Sequence, residues 1–189
     1  LQEVRLAIQL DPMNRYTAAQ LGWGELFARH YEQAIRHFSA VVDADSNNAV
    51  AREGLGLALE QLHRYDEAVR HLSRSVAQLP ASPYYGSLGH ALALAGRKRE
   101  ALAILDTLSQ SRPGFTAGAC DRALIQMGLG QTQKAAGNLA AAVENREAWI
   151  TTCRIDARFD PVRSTPEFQR VLERMHLSDT EVRRLTEES

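Results

Sequence analysis

Histidine and cysteine are the side chains of this sequence best suited to metal binding or nucleophilic chemistry, and their spacing favours neither. The six histidines are scattered: His30, His37, His63, His71, His90 and His176. His37 and His71 hold equivalent positions in two neighbouring units of a sequence repeat, and packed helices lie roughly 10 Å apart, too far for a shared metal ion. Cys120 and Cys153 make no metal spacing and no disulfide framework. We therefore expect surface or half-buried imidazoles and buried free thiols.

Two other segments contain residue types that also occur in active sites. Residues 86–89 place a serine between glycines, but the spacing is not that of a nucleophile elbow. Asp156 and Asp160 lie close in sequence to three arginines, which favours a salt-bridged, hydrogen-bonded loop. The sequence has no phosphate-binding glycine loop, no His-Glu-x-x-His and no Cys-x-x-Cys. These patterns predict a protein that is not an enzyme and needs no cofactor or metal.

Composition narrows the class of protein. The chain of 189 residues is 44% apolar and only 6% aromatic, and its abundant Ala and Leu favour closely packed helices. A net charge of −1 provides no basic excess for nucleic acid. No apolar run approaches the roughly 18 residues of a membrane span, so we expect no membrane contact by this segment. The start lacks the features of a signal peptide and an initiator Met, which suggests a part of a longer protein.

Small residues recur at intervals of 33 or 34 along the chain, in the dipeptides Leu21-Gly22, Leu55-Gly56 and Leu88-Gly89. Twelve residues after each glycine stands an alanine, and Ala123 is followed at the same interval by another: Ala34, Ala68, Ala101 and Ala135. Four residues later comes a bulky apolar side chain: Phe38, Leu72, Leu105 and Leu139. Turn positions lie between the small residues, at Arg29, His63, Gly96 and Gly130. Units close at Pro12, Ser46, Pro80, Pro113 and Glu147.

These equivalent positions of the repeat, here called columns, are typical of stacked helix pairs. Small residues let two helices approach closely, the bulky residues fill the space between pairs, and proline ends the second helix. The columns resemble the tetratricopeptide repeat, with Tyr31 and Tyr65 also fitting its pattern. The resemblance implies an all-α fold, a right-handed superhelical solenoid of antiparallel helix pairs.

The repeat divides the chain into units at 15–48, 49–81, 82–115 and 116–149. Residues 1–14 are interpreted as the second helix of an earlier, truncated unit, with an apolar stripe that we expect to be partly uncovered and weakly self-associating. The fourth unit departs most, with Arg122 and Ala123 in place of Leu and Gly. Its first helix is expected either to be displaced or to be adapted to the segment after this unit.

Residues 150–189 are interpreted as a cap, the C-terminal segment that covers the end of a repeat array. Thr165 is a predicted N-cap with Pro166 at the first helical position, and Ser178 and Glu181 suggest a last short helix. The cap resembles the closing segment of tetratricopeptide tails on bacterial regulators, kinases and cyclases. That resemblance depends on Arg158-Phe159-Asp160-Pro161, Arg163-Ser164, Pro166 and Phe168, whereas Ala157 departs from it.

In this family the first helices line a concave face where ligands bind. Helical spacing places one stripe on that face: Ala19, Trp23, Phe27, Glu53, Leu57, Gln61, Gly86, His90, Leu94, Cys120, Leu124 and Gly128. The stripe has one acid and no Lys, Arg or Asn, which argues against a clamp for a C-terminal carboxylate. We expect the groove residues Ala19, Trp23, Phe27, Leu57, Gln61, His90, Leu94 and Leu124 to bind an apolar or amphipathic peptide. In the alternative, Trp23 packs against a missing upstream helix.

The sequence thus predicts a protein–protein interaction scaffold, the tail of a larger bacterial regulatory protein. Two alternatives are an oligomerisation module and the targeting domain of an enzyme whose catalytic part is absent. A weak homo-oligomer is compatible with the uncovered stripe of residues 1–14. We expect a cytoplasmic protein, or a periplasmic one should the parent carry an upstream membrane span.

Overall fold

A computed structural model describes residues 15–110 and 117–178. Within these ranges the chain forms nine α-helices, which we number in order. They are α1 (Arg15–Phe27), α2 (Tyr31–Ala44), α3 (Ala49–Gln61), α4 (Tyr65–Gln78), α5 (Ser82–Leu94), α6 (Lys98–Ser109), α7 (Ala119–Gly128), α8 (Thr132–Glu144) and α9 (Pro166–Arg174). Two 3-10 helices, Ala148–Arg154 and Ala157–Val162, lie between α8 and α9.

The first eight helices form four antiparallel pairs, each joined by a three-residue turn. Every turn contains one residue with positive φ: Arg29 (66°), His63 (60°), Gly96 (75°) and Gly130 (72°). These are the four predicted turn positions, so that prediction is confirmed. A left-handed residue reverses the chain, and glycine adopts it without steric cost. The predicted all-α solenoid of helix pairs is likewise confirmed. No helix of the described residues is long and apolar enough to cross a bilayer.

The small columns mark places where helices approach closely. A Cβ on Gly22 would lie 2.7 Å from Phe38 Cε1, and one on Gly56 would lie 2.6 Å from Leu72 Cγ. Phe38 and Leu72 are fully buried. Glycine is therefore required here because the bulky residue of the second helix occupies the space that a side chain would need.

The junction between the third and fourth pairs differs from the others. In the earlier pairs each first helix packs on the preceding second helix, whereas α7 packs mainly on α5 and only weakly on α6. A Cβ on Gly128 would lie 2.9 Å from Ala93 Cβ, which shows how closely α5 and α7 approach. The helix of the departing fourth unit is therefore displaced towards α5. As a result α6 is less covered, and Leu105 is only partly buried.

The described helices enclose two apolar clusters. The first joins the helices of the first three pairs and includes Ile125 of α7. The second joins α7 and α8 to the C-terminal segment, where Phe159 and Phe168 are buried with ring centroids 5.8 Å apart. Thr165 Oγ1 accepts a hydrogen bond from the Phe168 backbone N–H at 3.3 Å, which confirms the predicted N-cap of α9.

Three predicted features lie outside the described residues: the helix of residues 1–14, the closing Pro113, and the last short helix that begins near Ser178 and includes Glu181. The unit and cap bounds remain interpretations of the repeat pattern. Each described helix pair lies inside one predicted unit.

Replacing Gly56 by Leu should destabilise the fold by about 1–3 kcal/mol, because the contact with Leu72 has no room for a side chain. Ala68→Leu, on the facing helix, should act similarly, since Ala68 is fully buried. Chemical denaturation measures both. Gly137 is the matched control: it is helical and exposed, and a Cβ there would meet nothing within 4 Å. Gly137→Ala should stabilise slightly; a Gly56→Leu variant as stable as the parent would contradict the close-approach interpretation.

Candidate binding groove

A pocket opens between the first helix pair and the C-terminal segment. One wall is aromatic and comes from the first pair, with Trp23 and Phe27 of α1 and Tyr31 of α2. The opposite wall comes from the 3-10 helices and includes Trp149, which is 51% exposed. Both tryptophans of the chain therefore line the same pocket.

Trp23 takes part in both the pocket and the core. Its ring stacks on Phe27, with centroids 5.9 Å apart, and meets the fully buried Phe38 edge-on at 5.4 Å. Phe38 in turn fills the space beside Gly22. Trp23 is thus a wall of the pocket whose position is fixed by the core of the first pair.

The structure places five of the eight predicted groove residues in this pocket: Trp23, Phe27, Leu57, Gln61 and Leu124. The other three lie elsewhere. Ala19 packs against the first apolar cluster, and His90 is buried with its Nδ1 atom 3.0 Å from Glu60 Oε2. Leu94 is 38% exposed and does not line the pocket. His90 is covered because α7 packs against α5 there: a Cβ on Gly128 would lie 3.2 Å from His90 Cδ2. Assignment of the stripe to partner binding stays a prediction.

The C-terminal segment enters the pocket with Arg158, whose side chain is only 12% exposed. Its Nη2 donates to Asp156 Oδ2 at 2.6 Å, and its Nη1 donates to Ser87 Oγ at 3.2 Å. Asp156 also accepts the backbone N–H of Arg158 at 2.9 Å and so caps the second 3-10 helix. A hydrogen-bonded ion pair thus lines the pocket. The predicted salt-bridged loop is confirmed, but its insertion into the groove was not predicted.

A second ion pair joins the first helix pair to the C-terminal segment. Arg29, in the α1–α2 turn, donates to both carboxylate oxygens of Asp160, at 2.6 and 2.9 Å. Arg163 donates to the same carboxylate at 2.8 and 3.0 Å. These side chains are partly exposed, and exposed pairs stabilise by at most about 1 kcal/mol. The partners are 131 residues apart in sequence, so no local pattern could have predicted this contact.

Two carboxyl groups of the pocket are buried without an arginine bonded to them. Glu53 accepts from Ser87 Oγ at 2.8 Å, and Asp121 accepts from Ser82 Oγ at 2.5 Å. Burial raises the pKa of Glu53 to about 7 and that of Asp121 to about 6, because an ionised carboxylate is poorly solvated there. The groove therefore contains more acid than the predicted apolar stripe implied. Asp121 and Ser87 lay outside that stripe.

The pKa of Asp156, which pairs with Arg158, is shifted in the opposite direction from those of Glu53 and Asp121. Burial opposes ionisation of Asp156, but the adjacent Arg158 guanidinium outweighs it and lowers the pKa of that carboxyl. Burial also opposes the charge on Arg158, yet Asp156, Glu60 and Glu53 together raise its pKa. Both groups are thus charged at neutral pH.

The thiols are not activated. Cys120 and Cys153 are free and buried, as predicted. Burial raises the pKa of both, that of Cys153 to about 11, so each remains a protonated thiol near neutral pH. In the described part of the chain, no three His, Cys, Asp or Glu side chains come together in a way that could hold a metal ion.

Comparison with known proteins agrees with this architecture. Residues 20–83 match the family model of the tetratricopeptide repeat. The match covers the first two helix pairs up to the start of α5, and it confirms the resemblance for that part of the chain. Tetratricopeptide repeats generally mediate protein–protein interaction. A comparison with curated proteins found no match.

Two solved structures align with this chain. A structure titled "Crystal structure of MamA" aligns with a TM-score of 0.54 and 24% identity, and the alignment covers 78% of this chain and 87% of that one. Another, titled "Crystal structure of MamA protein", aligns with a TM-score of 0.47 and 17% identity, covering 91% and 88%. The first likeness supports the fold alone.

Glu53→Gln should stabilise the protein increasingly as pH rises. The pKa of Glu53 lies at about 7 in the folded chain against a usual 4.5. The stability associated with the protonated carboxyl is therefore complete below about pH 4.5 and is lost as pH rises through 7. Glutamine keeps the acceptor for Ser87 without the charge. The free energy of unfolding should favour Glu53→Gln by about 2 kcal/mol more at pH ~8.5 than at pH ~5.5.

Glu100→Gln is the control for this pH series. The hydrogen bond from Arg97 lowers the pKa of Glu100, so that carboxylate stays ionised at both pH values. Its effect on unfolding should be the same at each. A Glu53→Gln effect that is equally independent of pH would contradict the burial of an ionisable Glu53.

Arg158→Ala should destabilise the fold by about 3–5 kcal/mol, because Asp156 would remain buried without its partner. Arg170 provides the matched control, since its side chain is 64% exposed and its pair with Glu167 lies on the surface. Arg170→Ala should cost no more than about 0.5 kcal/mol. Equal effects of the two variants in chemical denaturation would show that Arg158 is not a buried partner.

Proposed function

We propose that this chain is a protein–protein interaction scaffold that binds a peptide or protein partner in the pocket between α1 and the C-terminal segment. The observation that carries the proposal is the joint position of Trp23, Phe27, Tyr31 and Trp149 around one pocket. Large aromatic side chains dominate binding energies at protein interfaces. Leu57 and Leu124 extend the apolar surface between the two walls.

The same geometry supports binding over catalysis. The Cys120 thiol lines the pocket, but burial raises its pKa well above the range in which a thiolate forms. Ser87 Oγ donates to Glu53 and accepts from Arg158, so its hydroxyl is held between two side chains. Both groups are therefore assigned to the structure of the pocket.

The parent protein is proposed to be a bacterial regulator with this chain as its tail. Support comes from the resemblance of Arg158-Phe159-Asp160-Pro161 to the closing segments of such tails. In this structure these residues have a physical role: Phe159 is buried in the second apolar cluster, and Asp160 bonds Arg29. The segment thus connects the fourth helix pair to the first described pair.

Peptide selection tests the binding proposal. A random peptide library displayed on phage is selected against the full chain, and the selected peptides are titrated while tryptophan fluorescence is followed. Because both tryptophans line the pocket, a peptide bound there should change the emission of the protein. Selected peptides that bind without any change in emission would place binding elsewhere and contradict the proposal.

Trp149→Ala should weaken binding of the selected peptides by at least about tenfold while leaving the melting temperature nearly unchanged, because Trp149 is half exposed at the pocket rim. Trp23 fluorescence then reports the titration. Ile155→Ala is the matched control, since Ile155 is 49% exposed in the same segment and does not line the pocket. Trp23→Ala is a poorer test, because loss of its contact with Phe38 would also lower stability. Equal affinities of the Trp149 and Ile155 variants would contradict the proposed site.

A further inference from the structure

Unpaired buried polar atoms occur together in the helix pair formed by α3 and α4. In the described part of the chain, three buried side-chain atoms have no hydrogen-bond partner: Arg52 Nη1, His71 Nδ1 and Gln78 Oε1. Buried polar groups are nearly always hydrogen-bonded, and an unpaired one lowers the stability of the fold. Three such atoms on one helix pair therefore indicate a shared partner from outside the chain.

The side chains of Arg52 and Gln78 meet at the loop between α2 and α3. Arg52 Nε donates to the Ser46 carbonyl oxygen at 2.8 Å, and Gln78 Nε2 donates to the same oxygen at 3.0 Å. Gln78 Nε2 also donates to Asn47 Oδ1 at 3.2 Å. These two acceptors fix the orientation of the Gln78 amide, so its oxygen is the atom left unpaired. Two of the three unpaired atoms thus belong to side chains held by one carbonyl oxygen.

His71 adds a ring nitrogen to the same region. It lies seven residues before Gln78 on α4, a spacing that places both residues on one face of the helix. Burial lowers the pKa of His71, and the charges of Arg52, Arg74 and Arg70 lower it further, so the imidazole lies close to these guanidinium groups. His71 and Gln78 are half-buried, and the cluster therefore borders the solvent.

The positive charge of this region lacks a counter-ion in the described part of the chain. Arg52 is only 5% exposed, and both burial and the charge of Arg74 lower its pKa. Glu67 raises the pKa of His71, but its carboxylate already accepts two hydrogen bonds from Arg64, at 2.7 and 2.8 Å. A buried guanidinium is costly unless an anion pairs with it. The shared partner should therefore carry negative charge.

The chemistry of the unpaired atoms specifies this anion further. Arg52 Nη1 is a donor, and His71 Nδ1 is a donor in one neutral tautomer and in the protonated ring, whereas Gln78 Oε1 only accepts. The ligand must therefore offer acceptor oxygens and also one O–H donor. Phosphate retains a proton at neutral pH and meets both requirements. Sulfate and carboxylate groups are fully deprotonated there and cannot donate to the amide oxygen.

We propose that Arg52, His71 and Gln78 form a binding site for a protonated phosphate group, with the exposed Arg74 at its edge. Arg52 Nη1 and His71 Nδ1 donate to phosphate oxygens, and the phosphate O–H donates to Gln78 Oε1. The phosphate belongs either to the free ion or to a phosphate monoester. None of these residues lines the pocket between α1 and the C-terminal segment, so the site is independent of the peptide-binding function proposed above.

Titration of the full chain with phosphate and with sulfate, at neutral pH and matched ionic strength, tests the site. The NMR signals of the Arg52 Nε–H group and the His71 imidazole report binding. Phosphate should shift both signals to saturation at millimolar concentration and bind at least about tenfold more tightly than sulfate, because sulfate leaves Gln78 Oε1 unpaired. The absence of a saturable shift with phosphate, or equal affinities for the two anions, would overturn the inference.

A blocked phosphoserine distinguishes the two sources of the phosphate group. Its second pKa is about 6, so at pH ~5.5 most of it retains a proton. Binding as tight as that of inorganic phosphate at this pH supports a site for a phosphorylated partner, and binding of inorganic phosphate alone supports a site for the free ion. If neither ligand binds, the inference is overturned.

Variants test the assigned atoms. Arg52→Met should abolish the phosphate-dependent shift of the His71 signal and keep the fold, because an apolar side chain replaces a buried cation that lacks a counter-ion. Gln78→Leu should remove the preference for phosphate over sulfate. Arg99→Gln is the matched control, since Arg99 is exposed on α6, and it should alter neither property. Unchanged phosphate binding in Arg52→Met contradicts the site. Should that variant not fold, a preference for phosphate that persists in Gln78→Leu contradicts it instead.

Discussion

Close approach between helices is the constraint on which this structure depends. Gly22 and Gly56 leave space that Phe38 and Leu72 fill, and both bulky residues are fully buried. A single helix pair cannot enclose such a side chain, so each pair is completed by its neighbour. The aromatic wall of the groove depends on the same contact, since Trp23 lies against Phe38.

The displacement of α7 towards α5 interrupts the regular stacking of helix pairs and forms the pocket. It covers the predicted stripe around His90 and brings Asp121 beneath the groove. The C-terminal segment then packs on α7 and α8 through Phe159 and Phe168. From that position Asp160 reaches Arg29 of the first pair. The described part of this segment therefore packs on the fourth helix pair and also forms a wall of the groove.

Burial of the carboxyl groups of Glu53 and Asp121 carries a cost in folding free energy. Glu53 and Asp121 are buried beside only one cation, and their raised pKa values reflect the poor solvation of an ionised carboxylate. Replacing buried charged groups by well-packed apolar residues of similar volume often stabilises a protein. Tetratricopeptide repeats generally mediate protein–protein interaction, and residues 20–83 of this chain match that family model.

The sequence by itself determined the repeating elements, because helix pairing depends on residues at most about 34 apart. Intervals between Gly, Ala and bulky residues predicted the helix pairs and the turn positions at Arg29 and His63, and Thr165 before Pro166 predicted the N-cap of α9. The packing of the fourth helix pair and the position of the C-terminal segment were decided only by the tertiary structure. Helical periodicity places a residue on a face, but it does not say which neighbour covers that face. Thus His90 was assigned to the groove and is buried beside Glu60, while Arg158 was assigned to a loop and enters the groove, because contacts between distant parts of the chain leave no local pattern.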